Sequence, residues 1–247
     1  MSLIQYSPFP QMPAFSPQRL TDEDAFEPAQ MWLLGHNELA YSDELYNQFN
    51  INFPDSFHNA RSIRKREFLA GRLVAMTAVQ SFTKEWTQVS IGDFRQPLWP
   101  KEIFASITHS AEHALALVCQ SKKPLLVGID LEPLISPTVA QDISEQVLTG
   151  SERNMIDEWM GQLEWTFSEV LTLIFSAKES LFKGVFPWVN CYLDFSDSAV
   201  AAIDLNTQLV IIEPAGMLKK LLPNIPRYEA SFQHTGKEIL TFITQKT

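Results

Sequence analysis

Two apolar runs of strand length, HALALVC at 113–119 and LLVGIDL at 125–131, flank the polar, proline-bearing segment QSKKP. Their proximity predicts a hairpin or a pair of adjacent strands at the middle of the chain. Upstream, Arg61 to about Phe82 lacks Pro and is rich in good helix formers, which predicts one long helix. Residues 86–104 contain Gly92, Pro97 and Pro100 and read as strand and loop. Residues 1–30 read as irregular or partly extended, and 43–58 as a loop carrying Phe49, Phe53, Pro54 and Phe57. Beyond Pro133 and Pro137 the pattern predicts helices at 139–147, 151–160 and 168–184. Strands are expected at 191–195, 199–204, 208–213, 228–234 and 238–244. Helices and strands in separate blocks indicate an α+β chain, built as two similar halves meeting near residue 125.

A chain of 247 residues, 45% hydrophobic, can bury a sizeable core. A net charge of −10 argues against a nucleic-acid partner, because backbone binding needs a broad basic surface. The first residues, MSLIQYSPFPQMPAF, lack a basic start followed by an apolar run, so no secretory signal is expected. No apolar stretch is long enough for a membrane span, and a cytoplasmic protein is the simplest expectation. Two cysteines, Cys119 and Cys191, make neither a disulfide framework nor a zinc site.

The sharpest local pattern is Gly128-Ile129-Asp130-Leu131-Glu132-Pro133. Strand alternation puts Asp130 and Glu132 on one face, roughly 6.5–7 Å apart, with Ile129 and Leu131 turned to the core. Two carboxylates that close repel each other unless protonated or bridged by a cation such as Mg²⁺. Taken alone, the fragment reads better as two ordinary acids at a solvated strand end. A second pattern, FSAKESLFK at 175–183, changes the balance. Its apolar positions suit a largely buried helix, and Glu179 and Lys183 share a face at i, i+4. They form either a surface ion pair or a third carboxylate for a metal beside a phosphate clamp.

Arg61, Arg64, Lys65, Arg66 and Arg72 cluster along the start of the long helix. Arg61, Lys65 and Arg72 fall within about 40° of one another around its axis. Such a stripe can hold phosphates, or it can be a solvated face. Basic groups near a helix N-terminus oppose the macrodipole, which favours a ligand role. Ser106-Ile107-Thr108-His109-Ser110 reads as a turn whose hydroxyls and imidazole suit phosphate oxygens. Neither a G-x-S-x-G elbow nor a Walker A sequence is present.

REFLAGR (66–72), SITHS (106–110), GIDLEP (128–133) and FSAKESLFK (175–183), taken in order, closely resemble the 4′-phosphopantetheinyl transferases of the Sfp and EntD type. RQPLWP (95–100) resembles the EntD branch. The resemblance implies a pseudo-dimeric α+β fold of two similar halves, each with a small antiparallel sheet packed on a long helix, and coenzyme A held in the cleft between them. It implies that residues 1–124 supply the coenzyme A phosphate and adenine contacts, and 125–247 the metal site and catalytic helix. By motif position, Asp130, Glu132 and Glu179 resemble the Mg²⁺ ligands, with Asp130 also contacting coenzyme A. Lys183 resembles the lysine on the coenzyme A phosphates. Thr108 and His109 match a Ser-His pair that contacts coenzyme A, and Arg72, with Arg66 as a companion, matches the family's A-G-R arginine. Gln96 stands where other members carry a lysine near the adenine, with Arg95 beside it to compensate.

The activity so implied is transfer of phosphopantetheine from coenzyme A to a serine of an apo acyl, peptidyl or aryl carrier protein, with Glu179 and Lys183 catalytic. A siderophore or other secondary-metabolite pathway is expected. The alternative is a non-catalytic metal- or nucleotide-binding module. A chain of two similar halves has little need to pair, so a monomer is expected. The carrier is expected to dock on an apolar patch within 133–167, where Leu134, Ile135, Met155, Trp159, Met160 and Trp165 occur, although each of these also suits the core.

Overall fold

The computed structural model describes residues 29–36 and 41–246. The expectation for residues 1–28 therefore lies outside the described residues. The chain divides into two compact units, residues 1–124 and 125–247.

In the first unit the described elements are β1 (Gln30–Gly35), α1 (Glu44–Gln48), α2 (Ser62–Thr83), β2 (Ser90–Ile91), β3 (Pro97–Leu98), β4 (Ile103–His109) and β5 (His113–Gln120). An antiparallel sheet of order β1-β5-β4 places β5 at its centre, with Gln30 opposite Val118 and His109 opposite Ala114. The long helix α2 lies against this sheet, and its small buried residues meet small residues of β5: Ala75 and Ala78 share a core with Ala114 and Ala116, all fully buried. Helix α2 stops where Lys84 takes a left-handed conformation at φ 64°. The stretch 43–58, expected as loop, instead contains α1 and a 3₁₀ turn at Asp55–Phe57. Tyr46 holds this stretch down, packing edge-on against Phe53 and donating its hydroxyl to the Lys65 carbonyl on α2.

The second unit comprises β6 (Leu125–Pro133), α3 (Pro137–Val147), α4 (Gly150–Leu163), α5 (Phe167–Val189), β7 (Ser198–Asp204), β8 (Leu209–Pro214), α6 (Gly216–Leu221), β9 (Tyr228–His234) and β10 (Glu238–Lys246). Its five-stranded antiparallel sheet runs β6-β10-β9-β8-β7. Helix α5 packs on β6 and β10, and Val170, Leu171, Ile174 and Ala177 join Leu126, Ile239 and Ile243 in one core. Its start is fixed by a capping box in which Thr166 and Glu169 each satisfy the other's backbone N–H. So each unit is an antiparallel sheet on one long helix, the α+β arrangement expected.

Several local expectations are corrected. β5 and β6 do not pair: β5 sits between β1 and β4, and β6 pairs with β10, in separate sheets. QSKKP is thus the connection from one unit to the other rather than a hairpin turn. Ser106 to His109 belong to strand β4, and only Ser110 lies in the tight connection to β5. The expected strand at 191–195 is absent; there the chain is irregular until a 3₁₀ turn at Phe195–Asp197, closed by Asp194 and Asp197 capping each other. Helix α5 continues past 184 to Val189, with Pro187 inside it, and ends at Asn190 in a left-handed conformation. Among the described residues, no helix is long and apolar enough to cross a membrane.

Candidate active site

The even-numbered side chains of β6 face α5. Leu126 shares the core with α5, and the bare Cα of Gly128 lies against the Ser180 carbonyl. Because no side chain intervenes at 128, strand and helix run close enough for groups two residues further along to meet. Lys183 Nζ donates to Asp130 Oδ1 at 2.6 Å, with the aspartate side chain 2% exposed and the lysine 28%. Ile129 and Leu131 are buried as expected, but Asp130 is buried too, so β6 is covered on both faces at this point.

Glu132 and Glu179 complete a charge cluster around this pair. Burial, then the negative charges of Asp130 and Glu179, lift Glu132 to about 7, with Lys183 opposing. Glu179 is likewise raised, first by burial, then by Asp130, again opposed by Lys183. Three carboxylates and one ammonium thus share a half-buried space whose charge is excessively negative, the condition that calls for a cation or a proton. The oxygen donors suit a hard ion such as Mg²⁺. However, among the described residues no group of three or more His, Cys, Asp or Glu side chains is arranged as a ready metal cage. Mg²⁺ is commonly bound by a few carboxylates together with substrate phosphates and waters, and the cluster fits that mode rather than a complete protein ligand set.

Beside Glu179 opens a pocket of about 200 Å³, walled by Phe182, Tyr192, Leu193, Phe195 and Leu218. Phe182 and Tyr192 stack at 6.3 Å, and Phe175 backs Phe195 at 5.3 Å. Apart from Phe182, these walls carry no signal in the sequence. They come from the connection after α5 and from α6, and no local pattern announces that they meet there.

The first unit carries its own polar cluster. His109, at the end of β4, lies 3.2 Å from Arg64 Nη1 through Nε2, and its Nδ1 is 3.9 Å from Glu67. Arg64 and Glu67 are an i, i+3 pair on α2, and their meeting with His109 has no signal in the sequence. Thr108 is buried on the opposite face of β4. The basic stripe of α2 is not a uniform solvated face. Lys65 binds Asp43 at 3.0 Å. Arg72 is buried, donates to the Val89 carbonyl at 2.8 Å, and lies 4.9 Å over the Phe68 ring. Burial pulls its guanidinium down to about 10. Arg66 is also buried and donates to the Ala111 carbonyl, bracing the connection that follows His109. Arg95 is exposed with φ 65° in the β2–β3 turn, while Gln96 Oε1 accepts from the Phe94 N–H of the same turn.

Two family models match the sequence across these same segments: the 4′-phosphopantetheinyl transferase N-terminal domain over residues 53–119, and the 4′-phosphopantetheinyl transferase superfamily over 126–236. The chain belongs to the 4′-phosphopantetheinyl transferase superfamily. Its similarity to enterobactin synthase component D of Escherichia coli K12 is 40% identity over 120 residues, 49% of this chain and 54% of that protein. With the 4′-phosphopantetheinyl transferase Svp of Streptomyces mobaraensis it shares 31% over 172 residues, 68% of this chain and 67% of the relative. With Npt of Nocardia iowensis it shares 26% over 137 residues, 56% and 59% of the two chains. The chain spans about half the length of the enterobactin synthase relatives it matches. As a member of this superfamily it keeps, within the second matched range, both GIDLEP and FSAKESLFK, the segments that supply the carboxylate cluster.

The apolar residues of 133–167 turn out to serve the core of the second unit. Trp159 is 2% exposed, and Leu134, Ile135, Met155, Met160 and Trp165 pack against the same core. Val139 is the large hydrophobic of that stretch that stands exposed.

Proposed function

We propose that the protein transfers the 4′-phosphopantetheine group of coenzyme A to a serine of an apo carrier protein, releasing adenosine 3′,5′-bisphosphate. The observation that carries this reading is the meeting of Asp130, Glu132, Glu179 and Lys183 within the matched superfamily region. When bound, Mg²⁺ would neutralise charge on the pyrophosphate, held by Asp130, Glu132 and Glu179 together with substrate oxygens. Lys183 supplies a fixed positive charge at the phosphorus that is attacked. The serine oxygen forms the new P–O bond, the pyrophosphate bridge breaks, and the electron pair leaves with the adenosine bisphosphate. The serine proton passes to Glu179, directly or through a water. Where Glu179 also holds the metal its proton affinity is lowered, and a metal-bound water would take the proton in its place.

In the first unit we assign His109, Thr108, Arg72 and Arg66 to the phosphate groups of coenzyme A, and Arg95 with Gln96 to its adenine end. Arg72 and Arg66 also brace the protein, so their effect on coenzyme A is partly through shape. The pocket beside Glu179 combines aromatic and aliphatic walls with Asp194, Asp197 and Ser198, a mixed lining that suits the pantetheine arm with its amides and methyl groups. The relatives named enterobactin synthase component D favour a carrier of siderophore or other secondary-metabolite synthesis. We place the working protein in the cytoplasm, as a monomer. The test is incubation with coenzyme A, Mg²⁺ and a panel of purified apo carriers, following both carrier mass and adenosine 3′,5′-bisphosphate. Coupled appearance of holo carrier and bisphosphate supports the reading; neither product with any carrier overturns it in favour of a non-catalytic binding module.

A further inference from the structure

The residue before Glu179 is a lysine that the chemistry above does not use. Lys178 is 3% exposed, and its ammonium has three acceptors for its three protons: Glu152 Oε2 at 2.8 Å, the Val147 carbonyl at 2.9 Å and the Phe195 carbonyl at 3.1 Å. Glu152, fully buried, is equally engaged. Its Oε2 also accepts from the Thr149 N–H at 2.6 Å and the Thr149 hydroxyl at 2.8 Å, while Oε1 accepts from the Val200 N–H at 2.7 Å. One ion pair therefore ties the end of α3, the capped start of α4, the 3₁₀ turn at Phe195 and strand β7 to a single point on α5.

A buried ion pair is a poor way to gain stability, because desolvating two charges offsets most of their attraction and two apolar side chains of similar volume do as well. What it provides is geometry. Each contact is directional, and all converge one residue from the carboxylate assigned to the reaction. Successive helical residues are about 100° apart, so clamping 178 toward the core sets the angle at which 179 leaves the helix. Phe195, which accepts from Lys178, also walls the pocket that Glu179 borders, so carboxylate and pocket wall share one anchor. Thr149 and Glu152 show capping-box spacing in the sequence, but nothing there reveals that the same glutamate reaches Lys178 and Val200.

We propose that the Lys178–Glu152 pair is a positioning device that fixes the orientation of the Glu179 carboxylate. This rests on the transfer reading given above. The test is the double substitution Lys178→Met with Glu152→Leu, which removes both charges at similar volume and avoids the unmatched buried charge that either single change leaves. Thermal unfolding, kcat and KM for coenzyme A, and amide hydrogen exchange along 176–183 are measured together. The expected result is a folded protein whose kcat falls about 10- to 100-fold while KM for coenzyme A stays within about twofold, with faster exchange around Glu179. A folded double variant with wild-type kcat, or with unchanged exchange at 176–183, overturns the proposal. If the double variant does not fold, Glu152→Gln, which keeps the shape and removes one charge, is measured in the same way: slower turnover with faster exchange supports the proposal, and wild-type kcat or unchanged exchange overturns it. If wild type transfers to no carrier, the transfer reading fails, and the exchange measurement still decides whether the pair orders this part of α5.

Discussion

Gly128 of β6 lies so close to the carbonyl oxygen of Ser180 on α5 that a Cβ at 128 would overlap it, and would come within 2.9 Å of the Gly184 backbone nitrogen. The strand that carries Asp130 and Glu132 and the helix that carries Glu179 and Lys183 are thus in backbone contact. This contact is the physical reason that two motifs about fifty residues apart in sequence form one cluster.

Gly128→Ala must therefore push α5 from β6. The expected cost is about 1–3 kcal/mol in denaturant unfolding, with transfer activity lost beyond what instability explains. Gly184→Ala is the contrasting case. Its Cβ would meet Gly128 N at 3.4 Å and Val127 C at 3.5 Å, ordinary contacts, and Ala is favoured over Gly in a helix by about 1 kcal/mol. Gly184→Ala should leave stability unchanged or slightly raised. Equal losses in the two variants would show that the strand–helix contact is not as tight at Gly128 as described.

The start of α5 should make stability pH-dependent. The Thr166 hydroxyl, then the Thr166 N–H and the nearby His234, hold the Glu169 carboxyl below the usual carboxylate range. The unfolded chain then binds more protons than the folded one as pH falls below the ordinary glutamate value, so the cap's contribution is full at neutral pH and fades on acidification. Glu169→Gln should lower stability by about 1 kcal/mol at pH 7 and show a shallower loss between pH 5 and 3 than wild type. Identical acid profiles for the two proteins would refute this assignment.

Arg72 is proposed above as a phosphate contact, yet it is buried and bonded to the Val89 carbonyl. Arg72→Ala should accordingly reduce unfolding stability by about 1–3 kcal/mol in the absence of any ligand, in addition to raising the requirement for coenzyme A. A variant as stable as wild type would mean that the burial has no structural consequence.

How much of this was legible depends on range. The apolar runs of β5 and β6, the Pro-free span of α2 and the helical pattern of α5 are local signals, and each gave its element. Pairing is not local. HALALVC and LLVGIDL are buried on both faces, so no alternation identifies a partner, and proximity in sequence suggests a hairpin that the structure replaces with two sheets. Residues 191–195 mix aromatic, aliphatic and polar groups much as an edge strand does, but Asp194 and Asp197 use their carboxylates to close a turn instead. β1, which pairs with β5, and the short α6 carry no strong periodic signal and were not anticipated. The chemistry-bearing side chains of the second unit were singled out by the order and spacing of GIDLEP and FSAKESLFK together, since Asp130 and Glu132 alone read as ordinary acids at a strand end. The burial of Arg66, Arg72 and Lys178 was not, since a basic residue on a helix reads as solvated until its tertiary partners are known.

Glu179→Gln keeps the shape of the site and removes the group assigned to accept the serine proton. Intact-mass measurement of an apo carrier, incubated with coenzyme A, Mg²⁺ and either wild type or this variant at equal folded concentration, tests the assignment without intermediaries. Wild type should add one phosphopantetheine to the carrier, a serine-to-alanine carrier should gain nothing, and Glu179→Gln should be slower by about 100-fold or more. Equal rates for wild type and Glu179→Gln would contradict the assignment of Glu179, and no mass gain with wild type on any carrier would contradict the transfer itself.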